Sequence, residues 1–147
     1  MDTVAYLETG NGNRTPVSPD RSLPVAMASV PSGASRWSYA AANNGIVNTT
    51  TAVAFKAAAG AGLKNYITGI QIMAEALNTA TELAIRDGAG GTVLWRTKIG
   101  TGGLVNGLPI TFPTPLASSA NTLLEVVTLT ASGTGAVYFN AQGYVGA

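Results

Sequence analysis

Along most of the chain, large apolar side chains alternate with polar or small ones at a spacing of two, and short runs of this kind are separated by Gly, Asn, Pro and Ser. Such a period places every second side chain on one face of a β-strand. Eight runs read as strands: 35–41, 50–58, 66–74, 81–87, 92–99, 108–112, 123–130 and 137–145. Nowhere do apolar residues recur at i, i+3, i+4 and i+7 over three turns. The spacing of the runs predicts an all-β sandwich or barrel.

The alternation also names a core. Ile70 and Ile72, Leu83 and Ile85, Val93 and Trp95, Ile110 and Phe112, and Val137 and Phe139 are expected to point inward. Gln71, Glu82, Arg86, Arg96, Tyr138 and Asn140 are expected to point out. Burial of each large side chain is worth about 1.5–3 kcal/mol, so these ten positions offset much of the cost of ordering the chain. The one helical competitor is the stretch "IMAEALNTATELAI", Ile72 to Ile85, which is favoured by its Ala, Leu and Glu content. Asn78 and Thr79 interrupt it and the run from Thr81 to Arg86 alternates cleanly, so strand, loop, strand is the reading.

The first 34 residues differ from the rest. Prolines at positions 16, 19, 24 and 31, with turn formers between them, deny helix interiors and central strands. Residues 1–34 are therefore read as an extended or loop-like arm and residues 35–147 as the β domain. The string Leu23, Pro24, Val25, Met27 suggests an arm that lies in a groove, on its own domain or on a neighbour. Trp37 and Tyr39 follow the arm two residues apart. They are either an interface anchor, since aromatic residues concentrate at contact hot spots, or core packing of the first strand.

The stretch "AIRDGAGGTVLW", Ala84 to Trp95, raises the possibility of a phosphate cradle. Such a loop needs the N-terminus of a helix behind its glycines, whereas here a β-branched and aromatic run follows. Asp87-Gly88 between two alternating runs is instead a strong hairpin signal. The clusters Gly60-Ala61-Gly62 and Gly100 to Gly107 also fall between strands and read as loops. The segment "GTGGLVNGLPITFPTPL" reads as a long exposed connection entering an edge strand, because Pro109, Pro113 and Pro115 cannot donate to a central ladder.

Composition narrows the chemistry. The 147 residues contain no cysteine and no histidine, which removes Cys and His metal sites, thiol nucleophiles, Ser-His-Asp triads and imidazole acid–base steps. The carboxylates Asp2, Glu8, Asp20, Glu75, Glu82, Asp87 and Glu125 are scattered. A glycan hydrolase would need two of them roughly 5–9.5 Å apart, and nothing in the sequence pairs them. Asn11-Gly12-Asn13 and Asn43-Asn44 lack the carboxylates that calcium requires, so neither a metal nor a cofactor is expected. Only 10% of residues are charged and the net charge is +1, which argues against nucleic acid as a partner. A surface so poor in charge is suited to lying against other protein. No run reaches the roughly 18 to 20 apolar residues of a membrane span, and the N-terminus lacks a secretory pattern, so synthesis in the cytoplasm is expected and a membrane is not.

The ending "AVYFNAQGYVGA", the pattern "YITGIQI…TELAIRDG…TVLWR…PLASSANTLLEVVT" and the leader "GNRTPVSPDRSLPVAMAS" resemble small virion proteins that decorate or cement tailed-bacteriophage capsids. The likeness covers most of the chain and consists of turn residues, core alternation and a final strand. It implies a β-sandwich, often of jelly-roll type, and a mechanical, non-enzymatic role on the outer capsid surface. There a homo-oligomer, dimer or trimer, would bridge joints between major capsid subunits. Leu23, Pro24, Val25, Met27, Trp37 and Tyr39 would then be interface residues. The alternative is a receptor- or carbohydrate-binding module of a tail or head fibre, with Tyr138, Asn140, Gln142 and Tyr144 on the last strand as its platform.

Overall fold

The computed structural model describes residues 34–147, together with the backbone of Ala5–Glu8 and Arg14–Val17. Those two N-terminal segments, β1 and β2, pair antiparallel with Ala5 opposite Val17 and Glu8 opposite Arg14. The part read as an arm thus contains a small ladder. The string Leu23 to Met27 lies outside the described residues.

The β domain has nine strands: β3 (Ser35–Tyr39), β4 (Ile46–Val47), β5 (Val53–Lys56), β6 (Lys64–Ala74), β7 (Thr81–Asp87), β8 (Thr92–Ile99), β9 (Leu104–Ala117), β10 (Leu124–Thr128) and β11 (Ala136–Gly146). One sheet has the order β3-β11-β6-β9, with the short β4 pairing the start of β11, and the other has the order β5-β10-β7-β8. All pairings are antiparallel. Setting β4 aside and counting the remaining eight strands from β3, the sheets read 1-8-3-6 and 2-7-4-5. That order is the connectivity of a jelly roll. All eight runs expected from the sequence are strands, and the stretch from Ile72 to Ile85 is strand, loop, strand. The two-residue β4 has no sequence signal of its own and exists because Ile46 and Val47 meet Val137 and Ala136.

The inner faces bury an aliphatic middle formed by Ile67, Ile70, Ile72, Leu83, Ile85, Ile99, Leu124, Val126 and Val137. Aromatic side chains close both open sides of the sandwich. On one side Trp37 and Tyr39 of β3 reach Phe55 of β5, at ring-centroid distances of 6.2 and 5.8 Å, and Phe55 meets Phe139 edge-on at 5.0 Å. On the other side Trp95 of β8 meets Phe112 of β9 edge-on at 6.5 Å. Edge-to-face contacts of this kind add about 0.5–1.5 kcal/mol to the burial itself.

Two expectations are corrected. Val93 is on the outer face and exposed rather than in the core. Ile85 pairs with Trp95, but Arg86 pairs with Val93, so Leu94 is an extra residue in β8. A β-bulge of this kind reverses the alternation beyond it. The connection expected over Gly100 to Gly107 is shorter than read: a tight turn, closed by Gly103 N–H donating to the Gly100 carbonyl at 3.0 Å, leads into β9 at Leu104. From there β9 runs as an edge strand to Ala117, and its register against β6 slips around Val105–Gly107 and again around Phe112–Pro115. The second slip spans Pro113 and Pro115, which have no N–H to donate.

Gly143 of β11 lies directly opposite Trp37, and a Cβ there would meet the Tyr66 carbonyl oxygen and stand 2.7 Å from Trp37 Cζ2. The missing side chain is the room the indole occupies. Gly143→Ala is therefore expected to destabilise the domain by about 1–3 kcal/mol through overpacking, read as a lower urea midpoint at unchanged m.

Candidate functional site

The glycine run after Asp87 is the hairpin turn between β7 and β8, and its backbone is already committed. Gly88 N–H donates to the Leu123 carbonyl at 2.9 Å, Gly91 N–H to the Gly88 carbonyl at 3.1 Å, and Gly90 N–H to Glu125 Oε1 at 2.8 Å. A phosphate cradle must keep such N–H groups available, so the turn is not one. Gly88 and Gly90 have φ of 88° and 67°, the left-handed region that glycine enters without penalty.

Each of the four carboxylates among the described residues is held in a structural contact. Glu75 Oε2 accepts the Ala136 N–H at 3.0 Å, and Asp87 Oδ2 accepts the Ser119 N–H and hydroxyl at 2.9 and 2.6 Å. Glu82 pairs with Arg96 at 3.5 Å on the exposed outer face of the second sheet. Glu125, buried on that same outer face, pairs with Arg86 Nη2 at 2.6 Å. No group of three Asp, Glu, His or Cys that could hold a metal occurs among the described residues. Asn43 and Asn44 form the β3–β4 turn, with Asn44 at φ 70° and Gly45 N–H donating to the Ala42 carbonyl.

Trp37 and Tyr39, the two candidate interface residues within the described region, are half-buried against Phe55 and Phe139. That contact is the core-packing alternative of the sequence. Lys56 Nζ stands 5.7 Å from the centroid of the Trp37 ring.

Tyr138, Asn140, Gln142 and Tyr144 all fall on the outer face of β11. Their central pair lines an open groove of about 380 Å³ across the sheet. The pairing of β11 with β6 brings Gln71 opposite Asn140 and Gly69 opposite Gln142. Register with the outer strands adds Ser38 of β3 opposite Gln142, Thr111 of β9 opposite Gly69 and Pro109 opposite Gln71. Gln71, Gly69, Ser38, Thr111 and Pro109 carry no local motif, so only strand pairing reveals them. The tyrosines flank the groove: Tyr138 is half-buried beside Met73, and Tyr144 is buried in a stack on Tyr66 at 4.7 Å and 11°. Tyr144 is thus a wall of the face rather than an open stacking surface.

A second feature is the distribution of exposed apolar side chains. Of the seven large ones among the described residues, Val47, Met73, Val105, Leu108 and Leu129 lie toward one end of the sandwich, while Leu63 and Val93 lie toward the other. That end carries the β6–β7, β8–β9 and β10–β11 connections. Val105 is the most open, at 68% exposure.

No family model, curated relative or solved structure matches the chain.

The two ion pairs differ in environment, and their removal should differ accordingly. Glu125→Ala strands Arg86, whose side chain is only 21% exposed, and leaves the Gly90 N–H without its acceptor. A loss of about 3 kcal/mol is expected. Glu82→Ala removes an exposed pair and should cost no more than about 0.5 kcal/mol. Paired chemical-denaturation curves measure both.

Proposed function

We propose that this chain is a structural virion protein that binds the outer surface of a tailed-phage capsid and cements the joints between major capsid subunits. The observation that carries the reading is the apolar end of the sandwich formed around Val47, Met73, Val105, Leu108 and Leu129. A monomer in water gains nothing from grouping large apolar side chains, whereas a protein that seats on another surface gains about 25 cal/mol for each Å² it buries. The resemblance to capsid decoration proteins, the jelly-roll strand order and a surface poor in charge support the same role. The commitment of the four carboxylates among the described residues to structural contacts supports a mechanical function over a catalytic one.

In this reading the partners are the major capsid protein and further copies of the chain, as a dimer or trimer. Neither a nucleic acid nor a membrane takes part. Residues 1–34 precede the edge strand β3 in the chain, and in this reading Leu23, Pro24, Val25 and Met27 give the arm apolar side chains with which to grip a neighbour. Simultaneous engagement by arm and apolar end lengthens residence well beyond either contact alone. Synthesis takes place in the host cytoplasm and the working location is the virion surface.

Co-sedimentation with stripped, mature capsids tests the reading. The full chain is expected to pellet with capsids and to saturate at a fixed ratio to capsid subunits. Val105→Asp should retain the wild-type unfolding midpoint and weaken attachment at least about tenfold, the cost of desolvating a charge at an apolar contact. Deletion of residues 1–34 should leave a folded β domain that no longer pellets. Full attachment by the truncated chain would remove the arm from the mechanism, and absence of binding by the folded full chain would refute the cementing role.

A further inference from the structure

We propose that the groove across the outer face of the β3-β11-β6-β9 sheet is a binding site for a neutral oligosaccharide. The proposal does not depend on capsid attachment.

The groove has two transverse rows of outward side chains. One runs Ser38, Gln142, Gly69, Thr111 and the next runs Asn140, Gln71, Pro109, each from strand to neighbouring strand. Strands lie about 4.8 Å apart and successive same-face residues about 7 Å apart, so the lined area is about 15 by 7 Å, the footprint of two or three pyranose rings. Gly69 leaves the centre of the first row without a side chain, and the ideal Cβ position there is 3.4 Å from Gln142 Nε2. The result is a depression beside an amide rather than a flat sheet.

Among the hydrogen bonds between described residues, the side-chain amides of Gln71 and Gln142 have no partner, and both residues are exposed. Asn140 differs: its Oδ1 accepts the Ala41 N–H at 2.9 Å, which fixes the side chain and leaves its amino group as the donor it brings to the groove lining. An amide offers a donor and an acceptor side by side, the arrangement that adjacent sugar hydroxyls complement. Serine and threonine hydroxyls supply either role at the rims, and the Pro109 ring supplies an apolar surface for sugar C–H groups.

Charge decides the class of ligand. None of the residues lining the groove carries a charge. A phosphate or carboxylate would be stripped of water without a cation to meet it, and a cation would find no carboxylate. A neutral polyhydroxylated chain satisfies the amides without that penalty. The groove is open and its longer dimension runs across the strands, which suits the side of an extended glycan rather than a single enclosed sugar.

The test uses the full chain labelled with 15N and follows the side-chain amide resonances of Gln71, Asn140 and Gln142. Maltohexaose, cellohexaose, mannohexaose and chitohexaose are each added to ~10 mM, enough to half-saturate or better a site with a dissociation constant on the order of 1–10 mM. At least one sugar is expected to shift these three resonances together, saturably, and to spare the β7–β8 turn. Gln71→Ala and Gln142→Ala alter exposed side chains, should keep the backbone spectrum, and should each weaken binding about tenfold, the loss of one hydrogen-bonding group. The proposal is overturned if no sugar shifts the amides or if both alanine variants bind as well as the parent. It is equally overturned if the same resonances move with protein concentration alone, which would make the face a contact between copies of the chain.

Discussion

The structure depends on a five-stranded and a four-stranded sheet being pressed together over a narrow aliphatic layer. That layer alone does not close a sandwich, because the strands at its open sides expose their inner faces to water. Aromatic rings solve this on both sides, Trp37, Tyr39 and Phe55 on one and Trp95 with Phe112 on the other. The connectivity makes this possible: β3 and β5 are edge strands on one side and β8 and β9 on the other. Five aromatic side chains of a type often associated with binding, Trp37, Tyr39, Phe55, Trp95 and Phe112, serve closure here. The outer faces carry amides, hydroxyls and two ion pairs, together with the Tyr66–Tyr144 stack and Tyr138.

The same closure explains how much of the fold was legible in the sequence. Where a strand is regular, period-two alternation reports the buried face directly, as Ile70, Ile72, Leu83, Ile85, Val137 and Phe139 illustrate. Legibility fails where one strand carries an extra residue. Leu94 in β8 reverses the phase that would place Val93 inside, and Thr68 in β6 shifts register between the Gln142 and Gly143 pairings. Nothing in a local run announces a bulge, since it is set by how two strands distant in the chain must twist to stay paired. Proline was more informative than glycine. Pro109, Pro113 and Pro115 identified β9 as an edge from chemistry alone, whereas the glycines of 100–107 looked uniform and in fact divide between a turn and a strand.

The groove was half legible. Asn140 and Gln142 stand out because they share a face of β11 with two tyrosines, which alternation alone places correctly. Gln71, Ser38 and Thr111 come from strands separated by tens of residues, and their convergence is a property of the strand order 1-8-3-6 rather than of any segment. Trp37 and Tyr39 show the reverse limit: an aromatic pair at a spacing of two reads equally well as anchor or core until its partner strand is known. Asn65 had no signal at all. It is fully buried, donates through Nδ2 to the Ala57 and Thr122 carbonyls at 2.9 and 3.2 Å, and so ties together the loops opposite the apolar end.

Both ends of the sandwich are fastened by hydrogen bonds, and they differ in how many large apolar side chains they expose. At one, Asn65, Ser118, Asp87 and Ser119 fasten the β5–β6, β7–β8 and β9–β10 connections to each other with hydrogen bonds. At the other, Ser132 accepts the Asn48 N–H and Thr81 the Thr130 N–H, and large apolar side chains also remain in water around the β6–β7, β8–β9 and β10–β11 connections. An end with exposed Val105 and Leu129 carries a hydration cost that only contact removes. The groove opens on a sheet face, perpendicular to that axis, so a molecule seated by its apolar end keeps the amide face accessible. The fold thus allows attachment and recognition on separate surfaces, and neither requires the charge that the sequence does not supply.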